Sequence, residues 1–236
     1  RGRPRNFHLE VEDPEKLVFP EFTKMSESKL LEPIGILDPK GVQPNPLTNA
    51  EYQNIYENEE IEGGGVKVPM TYANASELFW NHLAVYQKRE IILKAINNHQ
   101  ILLAKSGTGS GKTVIMPKLI MHQLGYGKRV LCAIPKKSSA RGAAEFAAKC
   151  LDVKLGEQVG YYFKGDRAID QNGVKTILSY TTTGSLTSRI KGNDRYLKDY
   201  DAIVIDEAHE RSVQMDFLFL LLKSIVEKRK DIRIII

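Results

Sequence analysis

The stretch ILLAKSGTGSGKT, residues Ile101 to Thr113, decides the fold class. Its apolar beginning is typical of a strand and its glycines of a tight loop, and the residues after it have the apolar spacing of a helix. A loop between a strand and a helix N-terminus lets backbone N–H groups converge on phosphate oxygens. The spacing follows the pattern G-x-x-x-x-G-K-[ST], except that Ser106 stands where the first glycine is expected. We therefore predict a nucleotide site whose loop consists of Ser106, Gly107, Thr108, Gly109, Ser110, Gly111, Lys112 and Thr113.

Two of these residues have chemical roles of their own. Lys112 carries the charge that would oppose the phosphates of ATP or another NTP, so we expect it to take part in catalysis. Thr113 would give its hydroxyl to Mg²⁺.

A second apolar stretch, AIVIDEAHERS at residues 202–212, delivers carboxylates to the end of a strand. Open α/β sheets bind ligands at that end. Asp206 suits the holding of Mg²⁺, and Glu207 suits the orientation and activation of an attacking water. His209 belongs to the same short motif, and we count it with the catalytic residues.

Strand-like and helix-like segments alternate from residue 80 onward. This alternation predicts an α/β fold with a mostly parallel sheet and helices on both faces. Continuous apolar runs fit strands that are buried on both faces. The predicted strands are 101–105, 129–134, 175–180, 202–206 and 232–236, and the predicted helices are 85–96, 112–124, 139–149 and 213–227.

Residues 1–79 have a different character. Seven of the ten prolines lie in the first 46 residues, and proline interrupts helices and central strands. An acidic stretch at residues 56–62 then leads into three glycines, 63–65. We predict an irregular extension over 1–79 that ends in a flexible joint and offers a surface to protein partners, followed by a folded domain over 80–236.

Composition sets only broad limits. The net charge of +5 is compatible with a polyanionic partner. The two cysteines, Cys132 and Cys150, lack further metal ligands at useful spacing, so buried free thiols in a reducing compartment are favoured over a disulfide. No apolar run is long enough to cross a membrane, and we expect an intracellular protein of the nucleus, the cytoplasm or a virion. The chain begins with Arg1, which indicates a piece of a longer protein.

The motifs occur together, and in the same order, as in one known family. Residues 83–236 resemble the DEAH-box (DEAH/RHA) helicases of superfamily 2. The resemblance is carried by ILLAKSGTGSGKT, by AIPKKSSARGAA (133–144), by GEQVGYYFKGD (156–166), by YTTTGSL (180–186) and by DEAHERSVQMDFLFLLLK (206–223). It departs from the family pattern at Ser106 and Gly107, at Lys136 and Lys137 in place of arginines, and at Thr183 in place of an aspartate. These departures favour an outlying branch of the family, such as a viral one.

The resemblance implies an NTP-driven motor that translocates on single-stranded nucleic acid, with RNA favoured over DNA, and acts as a helicase or RNP remodeller. It implies that residues 80–236 are the first of two RecA-like domains, so we expect residues 1–236 alone to be nearly inactive. By position in the family motifs, the contacts to the nucleic-acid backbone would come from Lys136, Lys137, Lys164, Thr182 and Gly184. Phe146 stands where the family has an arginine that stacks on the nucleotide base, and its ring suits either that stacking or the core.

Two other functions stay open at this point. A DNA helicase or translocase would use the same motor, because grip on the phosphate backbone is largely shared between RNA and DNA. A non-catalytic nucleotide-binding scaffold would keep the fold without turnover, although Lys112, Thr113, Asp206 and Glu207 are all present, which disfavours it.

Overall fold

The computed structural model describes residues 17–33, 35–37, 44–63, 65–107, 109–170, 176–210 and 212–236. The strands in these ranges are β1 (Glu60–Gly63), β2 (Val66–Pro69), β3 (Ile101–Leu102), β4 (Val130–Ile134), β5 (Val159–Phe163), β6 (Asp166–Ala168), β7 (Leu178–Thr182), β8 (Ala202–Ile205) and β9 (Arg233–Ile235). The α-helices are α1 (Glu27–Leu30), α2 (Tyr72–Ala75), α3 (Ala84–Gln87), α4 (Arg89–Asn98), α5 (Lys112–Gln123), α6 (Lys137–Cys150), α7 (Thr183–Lys191) and α8 (Val213–Lys228).

One seven-stranded sheet forms the centre of the described structure, in the order β3-β9-β8-β4-β7-β5-β6. Every pairing is parallel except that of β5 with the edge strand β6. All residues of β4 and β8 are buried, as the continuous apolar runs predicted. The mostly parallel sheet of the sequence-based prediction is therefore confirmed.

Helices cover both faces of this sheet. Along β4, alternate side chains belong to different core clusters: Cys132 lies in the larger cluster with α4, α5 and α6, and Leu131 lies in the smaller one with α7 and α8. Successive residues of a strand point to opposite faces, which explains the division. Cys132 and Cys150 are both buried and free, as expected.

Several element boundaries differ from the sequence-based expectation. The predicted helix over 85–96 is two helices, α3 and α4, because Lys88 leaves the helical conformation at φ −99° and ψ 15°. Strand β5 was not predicted, and it lies within the motif GEQVGYYFKGD. Gly160 in β5 is required by the close approach of β6, since a Cβ there would lie 2.2 Å from the Ala168 carbonyl oxygen.

On either side of the expected joint, β1 and β2 pair in antiparallel orientation. Ile61 in β1 is buried in the larger core cluster. Met70 and Tyr72 belong to the same cluster, so this part of the extension shares its core with α5 and α6. The division of the chain near residue 80 into two domains remains a prediction.

Asp152, immediately after α6, fixes the extension to the sheet domain. Its Oδ2 accepts hydrogen bonds from the backbone N–H groups of Gln53 (2.6 Å) and Asn54 (2.8 Å), and its Oδ1 accepts one from Ile55 (2.8 Å). The carboxylate is only 7% exposed. Hydrogen bonds to an ionised acceptor are stronger than neutral ones, so this contact orders residues 53–55.

Candidate nucleotide site and nucleic-acid groove

The glycine-rich loop runs between β3 and α5 and depends on left-handed backbone at two glycines. Gly109 has φ +76° and Gly111 has φ +93°. Gly111 caps the N-terminus of α5, and a Cβ on it would lie 2.8 Å from Leu83 Cδ1. The N–H of Val85 in α3 donates to the Ser110 carbonyl at 3.1 Å, which holds the loop from behind. The first turn of a helix leaves its backbone N–H groups without intrahelical partners, and in α5 these groups point toward the loop.

Two hydrogen bonds within the loop hold it closed. The Lys112 ammonium donates to the Ser106 carbonyl oxygen at 2.6 Å, and the hydroxyls of Ser106 and Ser110 lie 2.7 Å apart. A glycine at position 106 could not make the second contact. Thr108, which the sequence assigns to the same loop, lies outside the described residues.

The acidic turn after β8 meets the loop directly. The Thr113 hydroxyl donates to Asp206 Oδ2, and the Glu207 N–H donates to Asp206 Oδ1 at 2.9 Å. Asp206 is 7% exposed, and its own N–H donates to the Ala133 carbonyl of the neighbouring strand at 2.9 Å. Two residues that were predicted to serve one metal ion, 93 positions apart in the sequence, are thus in contact.

Glu207 and His209 lie beside this contact. Glu207 has φ +54°, a left-handed conformation that is uncommon for a residue with a long side chain. Strained backbone of this kind concentrates at functional sites. His209 Nε2 lies 3.2 Å from Glu207 Oε2, and both side chains are accessible to solvent.

Beside the Thr113–Asp206 contact, a cavity of about 380 Å³ lies between the loop residues Ser106 and Lys112 and the acidic turn. Its polar lining comes from the loop on one side and from Asp206, Glu207 and His209 on the other, while its floor is apolar. Sequence reasoning missed Lys105 and the apolar floor, because only the fold brings the ends of three strands together. The lining residues are Leu103, Ala104, Lys105, Ser106, Lys112, Met116, Val204, Ile205, Asp206, Glu207, Ala208, His209, Ile235 and Ile236.

Phe146 lies away from the lining of this cavity. It is half-buried on α6 and packs against the larger core cluster. Of the two interpretations of Phe146, this position favours the core.

A wider groove, of about 850 Å³, lies at the carboxyl ends of β5 and β7. It brings together four of the five residues that were predicted to contact nucleic acid: Lys137, Lys164, Thr182 and Gly184. The Lys137 ammonium donates to the Lys164 carbonyl oxygen at 2.7 Å, which joins α6 to the end of β5.

The fifth residue, Lys136, is placed differently. Its ammonium lies 4.0 Å from Glu210 Oε1, toward the acidic turn, and it is not among the residues that line the groove. Lys136 precedes the first turn of α6 and Lys137 begins it, so the two adjacent side chains diverge.

The groove also contains side chains that sequence reasoning did not select. Tyr162 and Phe163 were within a quoted motif, but that motif drew attention only to Lys164. Arg189 is paired with Asp194 and Asp199 and lies over the Tyr200 ring. The remaining lining residues are Ser185, Ser188, Gly192, Asn193 and Gln214.

Two further properties concern the described part of the chain. None of its helices has the length and apolar character that crossing a bilayer requires. Within the same residues, no group of three or more His, Cys, Asp or Glu side chains is arranged to hold a metal ion. The site of Thr113 and Asp206 has only one such side chain, so this absence does not bear on it.

Comparison with known proteins gives a consistent picture. A family model described as DEAD/DEAH box helicase matches residues 86–235. A protein of Acanthamoeba polyphaga mimivirus, named as a candidate ATP-dependent RNA helicase, is 37% identical over 205 residues, which are 86% of this chain and 27% of the relative. The ATP-dependent RNA helicase HrpA of Borreliella burgdorferi is 36% identical over 65% of this chain and 18% of its own length. HrpA of Escherichia coli is 38% identical over 75% of this chain and 14% of its own length.

This chain therefore spans about a quarter of the mimivirus relative and less than a fifth of each HrpA protein. The family match, in contrast, covers more than half of the chain and includes both the glycine-rich loop and the acidic turn. The protein belongs to the DEAD/DEAH box helicase family.

Proposed function

We propose that the protein is an ATP-dependent RNA helicase or RNP remodeller of DEAH type, which hydrolyses NTP to translocate on single-stranded RNA. The observation that carries the proposal is the contact of Thr113 with Asp206, which lines a cavity together with Lys112 and Glu207. Phosphate-binding and acidic residues are thus assembled as hydrolysis of a phosphoanhydride requires.

The loop residues bind and orient the phosphates. The N–H groups at the start of α5 point toward the loop, and they suit anionic oxygens. Lys112 exchanges its bond to the Ser106 carbonyl for one to the phosphates, because a full negative charge is the stronger acceptor. The remaining loop residues, Gly107, Gly109 and Ser110, act through the backbone.

Asp206 and Thr113 supply the oxygen ligands that Mg²⁺ prefers, and they fit the ion because both already lie at one point. When bound, the ion neutralises charge on the phosphate oxygens. Glu207 accepts a proton from the attacking water and orients it. His209, 3.2 Å from the Glu207 carboxylate, holds that side chain in position.

The groove at the ends of β5 and β7 is the proposed nucleic-acid surface. Lys137 and Lys164 contribute positive charge there, and Thr182 and Gly184 begin α7 beside them. Such a surface grips phosphates without reading bases, as translocation requires. RNA is favoured because the relatives are named RNA helicases. A second RecA-like domain would complete both sites.

Hydrolysis is tested with Glu207→Gln in the intact protein. The substitution keeps the size of the side chain but removes the carboxylate that accepts the proton. We expect ATP binding to persist while turnover falls by at least about 100-fold, which is the usual contribution of a general base. Asp216→Ala, at an exposed position of α8 that lines neither the nucleotide cavity nor the groove, is the control for substitution on the helix after the acidic turn, and its ATPase rate should be unchanged. Full activity of Glu207→Gln would contradict the proposal.

The nucleic-acid substrate is tested by stimulation of the same ATPase. Single-stranded RNA should raise the turnover rate more than single-stranded DNA of the same length and sequence. Preferential stimulation by DNA would identify a DNA translocase with the same motor. Nucleotide binding without turnover under any condition would identify a scaffold.

A further inference from the structure

Phe163 is an aromatic side chain of the groove that has no part in the function proposed so far. It is the last residue of β5, it is half-buried, and it lines the groove next to Lys164. Phenylalanine offers no hydrogen bond, so an apolar ring at the margin of a polar groove has no polar partner to satisfy. Its accessible surface is available for a flat ligand.

The ring already belongs to a stack. Tyr161 and Phe163 lie on the same side of β5, with ring centroids 5.3 Å apart and an interplanar angle of 21°. Tyr161 is 4% exposed, and its hydroxyl donates to Asp166 Oδ2 at 3.1 Å, so the inner ring is fixed. A fixed inner ring orients Phe163, which lowers the entropy that would be lost when a further ring stacks on it.

A positive charge lies over the face of the outer ring. The Lys137 ammonium is 5.7 Å from the centroid of Phe163 while it donates to the Lys164 carbonyl oxygen at 2.7 Å. Nucleotides present a flat base and an anionic phosphate close together. A ring flanked by lysines therefore matches both parts of one nucleotide.

The neighbouring aromatic residue is arranged differently. Tyr162 points to the opposite face of the sheet, where its hydroxyl lies 3.3 Å from that of Tyr200 and its ring lies 5.9 Å from the Arg189 guanidinium. Burial raises the pKa of the Tyr162 hydroxyl, with Tyr200 adding to the effect. Tyr162 is thus engaged within the protein.

We propose that Phe163 is a stacking platform for one unpaired nucleobase of the single strand in the groove. The inference rests on the proposed nucleic-acid function and extends it from contacts with phosphates to a contact with a base. Every base has a π-face, so the platform accepts any of the four bases and is compatible with translocation along any sequence.

The test removes the ring and the base separately. Affinity of the intact protein is measured for a short single-stranded RNA and for the same RNA with one abasic nucleotide, moved through the sequence position by position. Stacking on an aromatic side chain contributes about 5- to 150-fold in affinity per base. Phe163→Leu should lose affinity in that range for the unmodified RNA, and Phe163→Trp should retain it.

Coupling between the two changes identifies the contact. One abasic position should weaken binding to the wild-type protein and have no further effect on Phe163→Leu. Phe217→Leu is a matched control: Phe217 is also accessible, also has a lysine near its ring (Lys191, 5.4 Å), and lies outside the groove lining. Its affinity for RNA should be unchanged.

Salt dependence separates the base contact from the phosphate contacts. Phe163→Leu should leave the slope of log affinity against log salt unchanged, whereas Lys164→Ala should reduce it by about 0.7. Equal affinity of Phe163→Leu and wild type would overturn the stacking inference and leave the proposed function intact. Failure of the wild-type protein to bind single-stranded RNA would overturn both.

Discussion

Replacing Asp152 by alanine should release residues 53–55 of the N-terminal extension from the sheet domain. The carboxylate accepts three backbone hydrogen bonds, from Gln53, Asn54 and Ile55, and alanine accepts none. Asp152 also has φ +52°, a conformation that aspartate and asparagine tolerate better than alanine.

The magnitude follows from these contacts. A hydrogen bond to a charged group contributes about 1.5–3 kcal/mol, so three independent bonds would sum to about 4.5–9 kcal/mol. The true loss is smaller, because residues 53–55 can move away and bond to water. The left-handed backbone adds about 1–2 kcal/mol of strain in the alanine variant. We expect the free energy of unfolding to fall by about 3–5 kcal/mol.

Urea unfolding and limited proteolysis measure the effect. The alanine variant should be cut within residues 44–63 at protease concentrations that leave the wild type intact. Asp152→Asn keeps one acceptor oxygen and the preference for this backbone conformation. Its stability and its resistance to protease should therefore lie between those of the wild type and of Asp152→Ala. Asp216→Ala, an exposed aspartate on α8, should change stability by less than about 1 kcal/mol. Unchanged stability and unchanged cleavage of Asp152→Ala would refute the anchoring role.

Further substitutions test the site and the core. Lys112→Ala should abolish ATPase activity while leaving the melting temperature unchanged, since within the described residues the exposed ammonium bonds only to the Ser106 carbonyl; near-native turnover would remove the assigned role. Gly111→Ala should weaken nucleotide binding and lower stability by at least about 1–2 kcal/mol, because the added Cβ meets Leu83 at 2.8 Å in left-handed backbone. Phe146→Ala should lower stability by about 3 kcal/mol if the ring is core, whereas a loss confined to nucleotide affinity would indicate base stacking. Burial lowers the pKa of Lys118 to about 8, so below that pH the folded protein must bury a charge. Lys118→Met should therefore have a higher free energy of unfolding than the wild type at pH 7. Between pH 8 and 10 only the unfolded wild type still binds the proton, so this difference in unfolding free energy should shrink by about 1.4 kcal/mol per pH unit. A constant difference in unfolding free energy across that range would contradict the buried ammonium.

The meeting of the glycine-rich loop and the acidic turn could be predicted from local sequence. The glycines, Lys112 and Thr113 follow a strand at fixed spacing, and Asp206 follows another, so a parallel sheet brings their ends to one edge. The order of the strands in the sheet could not be predicted from the sequence, because the position of β9 between β3 and β8 depends on pairing between distant parts of the chain. Thr113 and Asp206 meet because this strand order places β3 and β8 close together in the sheet.

The groove and the extension show where sequence reasoning fails. Lys136 and Lys137 are neighbours of the same type, and the start of α6 alone decides which one lines the groove. In the sequence, Phe163 is only one residue of an apolar run. Its position at the groove is evident only once its register in β5 is known. Asp152 anchors the extension through three backbone N–H groups, and backbone groups leave no signal in a sequence.

The strand order also makes one wall of the nucleotide cavity stiffer than the other. β9 lies between β3 and β8 in the sheet. The loop follows β3 and the acidic turn follows β8, so these two strands are about 10 Å apart, which is twice the usual distance between neighbouring strands. β8 is buried and paired along both sides, whereas β3 is an edge strand with a register of two pairs. Segments with fewer paired and buried groups open at lower free energy. The loop side is therefore the more compliant wall of the cavity, and the acidic turn is the stiffer one, because β8 is held between β4 and β9.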